Sequence, residues 1–211
     1  MMSTIEKLKK LIDEAEVVVI GAGAGLSGAA GFEYGGDFFK EHFPEMHKLG
    51  YKDMYSAGFH PFDSSEEKWA YWAKQIFYTR YQGVKELYKD LLDVVKDKNY
   101  FVITTNVDHQ FQLAGFDKNR LFYTQGDYGL FQCSTPCHNK TYDNKDFIHK
   151  MLKETNDNKI PSYLIPKCPI CGKEMTTNLR CDDKFVEDDG WHNAAKNYQN
   201  FLEDNKNKKI L

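Results

Sequence analysis

Two close cysteine pairs, Cys133-x3-Cys137 and Cys168-x2-Cys171, are separated by 30 residues in a chain of 211. Thiolates at such knuckle spacings are the donors that zinc takes in closed tetrahedral sites. Four sulfur ligands leave no open position, so the metal implied is structural. His138 adjoins Cys137 and is the nearest substitute ligand, while Cys181 is expected as a core thiol outside the set. Near the N-terminus, Gly21, Ala22, Gly23, Ala24 and Gly25, with Ser27 and Gly28, make a glycine-rich turn. Backbone N–H groups in such a turn, at the start of a helix, can face a phosphate; the same turn also serves as a tight connection without a ligand. Thr105, Asn106 and Asp108 in "TTNVD" either cap a helix or grip an amide or a ribose hydroxyl, and both readings stand. "LFYTQG" ends on Gln125, whose amide takes up no proton at neutral pH.

These groups need elements to position them. Val17 to Ile20 is a short apolar, β-branched run that empties directly into the glycines, as a parallel strand covered on both faces would. "NYFVITTN" and "RLFYTQG" read as two further buried strands. Ser3 caps a first helix that carries Leu8, Leu11 and Ile12 on one face. Ser64 and Glu67 have capping-box spacing before a long aromatic-rich helix, a second helical pattern covers 84–95, and Gly115 stops a short helix after Asp108. Strands alternating with helices predict an α/β fold with a mainly parallel sheet, whose ligands bind at the carboxyl ends of the strands. Those ends converge the glycine turn, Thr105-Asn106 and Gln125-Gly126 on one crevice. From Cys133 to Cys171 the pattern changes to a metal-type module with a partly helical excursion near 145–155, and 190–206 is helical again. A dehydrogenase fingerprint wants an acidic residue about 20 positions after the glycines, at the end of a second strand. The second strand comes only at 100–104, so an ordinary dinucleotide dehydrogenase fits poorly.

Composition narrows the class. Hydrophobic residues make up 41% and charged residues 28%, enough for a buried core. The net charge of -3 gives no general reason to bind nucleic acid or an anionic membrane. From His138 through Lys167, six Lys against four Asp or Glu leave the cysteine module nearly balanced, so nucleic acid is not its expected partner. No apolar run approaches the ~18 residues of a membrane span, and the charged N-terminus lacks a secretory h-region. Cysteines in close pairs suit a reducing compartment. The expected location is the cytoplasm.

Together these motifs resemble the sirtuins, NAD-consuming protein deacylases and ADP-ribosyltransferases, and are closest to their macrodomain-linked class M branch. "GAGAGLSGAAGF" is similar to the family's glycine-rich opening, "TTNVD" to its Thr-Gln-Asn-Ile-Asp segment, "QGDYG" to its His-Gly position, and the four cysteines to its zinc module. The order matches from residue 5 to about 190. The resemblance implies a Rossmann-like parallel sheet with a small inserted zinc ribbon and a helical module. Residues 1–33, 84–127 and 186–211 would form the Rossmann-like part, 34–83 the helical insertion and 128–185 the zinc-binding module. It implies NAD as co-substrate, with Gly21 to Ser27 at its phosphates, Gly28, Thr105 and Gln125 among its further contacts, and Phe32 shielding the nicotinamide. Asn106 would lie at the nicotinamide ribose and Asp108 at the carboxamide. Cys133, Cys137, Cys168 and Cys171 would hold structural zinc.

Gln125 stands where the family's general-base histidine belongs. A general base is worth roughly 10²–10⁴ in rate. Deacylation needs it and direct ADP-ribosyl transfer does not, so protein ADP-ribosylation is the expected activity; deacylation, or silent nucleotide binding by a zinc-stabilised fragment, are the alternatives. His109 is the nearest rescue candidate and is expected to point elsewhere. Glu33 reverses the charge at an arginine position, and Phe185-Val186-Glu187-Asp188 only loosely echoes the family's substrate-binding stretch. By family analogy the partners are a protein acceptor, a lipoyl-carrying one among them, and a macrodomain protein. The resemblance also implies that Ile210-Leu211 begins a further strand of the sheet, with the remaining C-terminal strands missing from this chain.

Overall fold

Residue alternation along the central strand sets the layers. In the computed structural model, which describes residues 3–211, α1 (Thr4–Glu14) leads into β1 (Val18–Ala22) and the short α2 (Ala24–Ala29). A helical stretch follows: α3 (Gly36–His42), α4 (Pro44–Lys48), α5 (Met54–Ala57) and the long α6 (Ser65–Arg80). Next come α7 (Glu86–Val95), β2 (Tyr100–Thr104), α8 (Gln110–Ala114) and β3 (Leu121–Tyr123). The cysteine-bearing part holds β4 (Gly126–Cys133), β5 (Tyr142–Asp143), α9 (Lys145–Glu154) and β6 (Met175–Leu179), and α10 (Asp189–Asp204) follows.

β1, β2 and β3 are parallel in that order, with Gly21 opposite Ile103 and Thr104 opposite Tyr123. Tyr100 and Val102 turn to the face packed by Tyr88, Val95 and Phe111, from α7 and α8. Phe101 turns to the opposite face, against Ala194, Tyr198 and Phe201 of α10. Successive strand side chains point to opposite faces, so one apolar run is covered twice. The outer edge of β1 is taken by the chain's last residues: Leu211 N–H donates to Val17 O at 3.0 Å and Val19 N–H to Leu211 O at 2.9 Å. Ile210 thus pairs in parallel with Val17, at the place expected of a further strand.

β4 is the centre of a second, antiparallel sheet between β5 and β6. α6 and α9 cover it around Trp69, Ile76, Phe131, Ile148 and Met151. Two glycines set how the sheets join. Gly126 has φ 92°, and a Cβ there would lie 2.0 Å from the Asn178 carbonyl oxygen. Gly126 therefore excludes any side chain, whereas at Gly129 a Cβ would lie 2.8 Å from Arg80 Nε and would force the Arg80–Asp127 pair to shift.

The caps form largely as the sequence implies. Ser3 and Glu6 make a reciprocal capping box, Ser64 accepts from Glu67 N–H, and Gly115 ends α8 at φ 97°. The apolar face of α1 forms as read but stands uncovered, with Ile5 80%, Leu8 52% and Leu11 45% exposed, because the helix meets the body at its C-terminal end, through Ala15, the Lys98 bond to Ile12 O and the Glu14–Lys209 ion pair. One expectation fails: Cys181 is not in the core but lies in the exposed turn after β6. Among the described residues, no helix is long and apolar enough to cross a membrane.

Candidate functional site

The three strand ends open onto one cavity of about 830 Å³, walled on its far side by the helical stretch and by β6. Ala24, Ser27, Thr105, Asn106, Asp108 and Gln125 all line it. Gly21, Ala22, Gly23, Gly25 and Gly28 form the adjoining strand end and α2. Phe32 is buried off the wall, 6.1 Å from the Tyr34 ring and with the Lys85 ammonium 4.8 Å over its own. Tyr34 takes the lining position instead. A Cβ at Gly21, Gly25 or Gly28 would meet nothing within 4 Å, and none of the three has a left-handed φ. The protein's own packing does not require glycine there. Close approach by a ligand to the bare backbone would.

Behind the wall, hydrogen bonds run in a single direction. Asn106 Nδ2 donates to Tyr88 Oη at 3.3 Å, and Ser27 Oγ donates to Asp108 Oδ2 at 2.5 Å. Ser27 Oγ and Tyr88 Oη are 3.0 Å apart. An amide N–H only donates and a carboxylate only accepts, so the Tyr88 hydroxyl must donate to Ser27. The chain therefore reads Asn106 to Tyr88 to Ser27 to Asp108. Its consequence is that Asn106 keeps Nδ2 inward and has its carbonyl oxygen left for the cavity. Burial and the nearby Asp108 charge push the Tyr88 phenol up to about 12, so it holds its proton at neutral pH. Burial also lifts the Asp108 carboxyl above the ordinary carboxylate range, and the Asp127 charge adds to that lift against the Ser27 and Gln110 bonds. Asp108 also accepts from Gln110 N–H at 3.1 Å, so from the residue before the cap, His109, it takes the first N–H of α8 and faces the cavity at once.

Gln125 is exposed at the end of β3. Its backbone oxygen accepts from Arg180 N–H at 3.1 Å, and among the described residues none hydrogen-bonds its side-chain amide. His109 turns away from the cavity, as expected. It has φ 65°, and its Nδ1 pairs with Asp127 Oδ2. Asp127 Oδ1 accepts from Arg80 Nε at 2.8 Å and from Gly129 N–H at 2.7 Å. Burial alone would raise the Asp127 carboxyl, but His109 and Arg80 hold it below its ordinary range.

The four cysteine sulfurs of the second sheet lie within 4.8 Å of one another. Cys133 and Cys171 are 3.5 Å apart, and Cys137 and Cys168 are 3.7 Å apart. Zinc at its usual ~2.3 Å from sulfur sets tetrahedral edges of about 3.8 Å, so this donor set fits a closed zinc site. His138 stays outside the cluster, with Nδ1 3.1 Å from Cys137 Sγ and Nε2 2.8 Å from Tyr142 Oη.

Solved structures share this architecture. A Sir2 homologue in complex with NAD superposes with a TM-score of 0.60 at 17% identity, covering 96% of this chain and 70% of that one. A Sir2 complex with a p53 peptide and NAD gives 0.58 at 19%, covering 94% and 71%. A protein ADP-ribosyltransferase of Staphylococcus aureus (strain Mu50) is 41% identical over 209 residues, 98% of this chain. The chain belongs to the sirtuin-type family. A probable bifunctional ADP-ribose hydrolase/ADP-ribosyltransferase of Fusarium oxysporum f. sp. cubense is 31% identical over 189 residues, 84% of the chain. The chain spans 66% of the bacterial relative's length and 31% of the fungal one's. No protein-family model matches it.

Within this sirtuin-type chain, sequence reasoning missed the far wall of the cavity and the group behind it. Trp72, Gln75, Tyr128 and Arg180 line the hollow, and Tyr88 orients Asn106 from the core. The one signal for Tyr88 was a hydroxyl on the inward face of an amphipathic helix, in line with Leu91, Leu92 and Val95.

Proposed function

We propose that this chain is an NAD-dependent transferase that moves ADP-ribose onto a protein acceptor. The observation that carries the reading is Gln125: it lines the same cavity as Asn106 and Asp108, and its amide cannot act as a general base. The names of the bacterial and fungal relatives support the same activity. NAD supplies the ADP-ribosyl group: its C1′–N bond breaks, nicotinamide leaves with the electron pair, and C1′ bonds to the acceptor, which gives up a proton. Asn106, its carbonyl turned outward by Tyr88, accepts a hydrogen bond from a ribose hydroxyl. Asp108 holds a donor group with its carboxylate, and the bare backbone of Gly21 to Gly25 receives the phosphates. Gln125 hydrogen-bonds at the open rim and leaves proton removal to the acceptor's surroundings. Cys133, Cys137, Cys168 and Cys171 hold structural zinc.

From the family resemblance alone, the acceptor includes lipoyl-carrying proteins, the companion is a macrodomain protein and the site of action is the cytoplasm. The decisive assay gives the protein NAD labelled in its adenylate, together with protein acceptors and an acyl-lysine peptide. Label on protein with free nicotinamide and an intact peptide is the expected result. Rapid deacylation without labelled protein, or tight NAD binding without nicotinamide release, overturns the reading.

A further inference from the structure

Gln75 is a polar residue inside the apolar face of α6, only 3% exposed, with its amide in the wall of the cavity. Its Nε2 donates to Tyr128 Oη at 2.9 Å. Its Oε1 is, among the described residues, the one buried side-chain polar atom without a partner. Tyr128 completes the asymmetry. Its oxygen already accepts from Gln75, which leaves its own proton to donate, and among the described residues no acceptor takes it. Buried polar groups in folded proteins are almost always paired, so an orphan beside a large cavity marks a place that a ligand completes.

The two open valences sit side by side on one hydrogen-bonded pair, an acceptor on Gln75 and a donor on Tyr128. A group that answers both carries a donor next to an acceptor, which is the pattern of an amide. Its N–H meets Gln75 Oε1 and its carbonyl takes the Tyr128 proton. A carboxylate brings two acceptors, an ammonium brings only donors, and either leaves one valence opposed. The surroundings suit a planar group: the Trp72 ring is 6.3 Å from the Tyr128 ring, and Trp69 shares the wall. Tyr128 is fixed beside the Asn106–Asp108 loop by its N–H bond to Val107 O at 2.9 Å.

We infer that Gln75 and Tyr128 form an amide-reading subsite in the inner wall of the cavity. The amide belongs either to the nicotinamide carboxamide or to an amide-bearing side chain of the acceptor. The inference rests on the transferase reading for that source, and only for that.

The test is calorimetric titration of the full chain with nicotinamide, nicotinic acid, an Nε-acetyl-lysine peptide and its unmodified counterpart. Wild type is compared with Gln75→Leu and Tyr128→Phe. Gln75→Leu removes the orphaned acceptor at similar volume, so it should melt at or above the wild-type temperature, and Tyr128→Phe keeps the ring. At least one amide probe is expected to bind wild type about tenfold or more tightly than its amide-free analogue, with each substitution reducing that preference to about threefold or less. Movement of the nicotinamide arm assigns the amide to the leaving group, and movement of the peptide arm assigns it to the acceptor. A preference that survives both substitutions, a wild type that favours nicotinic acid, or a wild type that binds neither amide overturns the inference. NAD titrated into the same samples separates the two failures: NAD binding without amide preference defeats only the subsite, whereas absent NAD binding defeats the transferase reading.

Discussion

Asp108 and Asp127 are both buried carboxylates beside strand ends of the sirtuin-type core, yet their surroundings push them in opposite directions. Asp127 is saturated by Arg80, His109 and the Gly129 N–H, and is held below its ordinary range. Asp108 has a hydroxyl and one backbone N–H, no cation bonded to it, and is lifted by burial. The first ties α6 to β4; the second is left for the cavity to satisfy. Carboxylates whose environments drive them apart in this way mark the division between scaffold and site.

The sharpest way to break the contrast is Asp127→Asn, which leaves Arg80 buried without its counter-charge. It should cost about 3–5 kcal/mol, roughly 10 °C in melting temperature at neutral pH. Because folding holds Asp127 low, the unfolded chain takes up its proton first as pH falls. The group's contribution is therefore full at neutral pH and disappears below about pH 4, so mutant and wild-type melts should converge in acid. Asp108→Asn should behave the other way. The folded state keeps a proton there that the unfolded chain loses, so its stabilisation is full in acid and declines as pH rises through the raised value. The variant should melt at or above wild type at pH 7, lose that advantage near pH 3, and release nicotinamide from NAD roughly 100-fold more slowly.

Tyr88→Phe is a finer cut. It keeps the ring, packed 4.9 Å from Phe111, and removes the hydroxyl that joins Asn106 to Ser27. We expect about 1–2 kcal/mol in stability and roughly tenfold in nicotinamide release, with the Ser27→Ala double mutant no worse than the poorer single one. The smallest effect belongs to His109. Glycine there loses the Asp127 contact but relieves the left-handed φ of 65°, so His109→Gly should cost about 0.5–1 kcal/mol less than His109→Ala in denaturant melts.

What could be read from the chain beforehand was whatever is local. The run Val17 to Ile20, the caps at Ser3 and Ser64 and the stop at Gly115 depend on near neighbours in sequence, and so do the cysteine knuckles. The crevice was legible one step further, because parallel strands must deliver Thr105-Asn106 and Gln125 to the same edge as the glycines. Gln75, Tyr88 and Tyr128 were not, since a helix or strand pattern marks a face as inward without saying whether core or cavity lies there. Asp127 was silent for a related reason: its partners Arg80 and His109 arrive from separate elements. The exposed Cys181 shows the opposite limit, in which a sulfur-bearing residue suggests burial that the topology does not supply.

Gly126 lets the β3–β4 corner press against the backbone of Asn178, and the next residues of that strand clasp Gln125 through Arg180. The rim amide is thereby geared to a ribbon whose other end is knotted by sulfur at Cys171 and Cys133. On the proposed reading, zinc at those sulfurs would hold the rim in line from a distance, and a chelator that never enters the hollow would slacken the ribbon and let the rim drift.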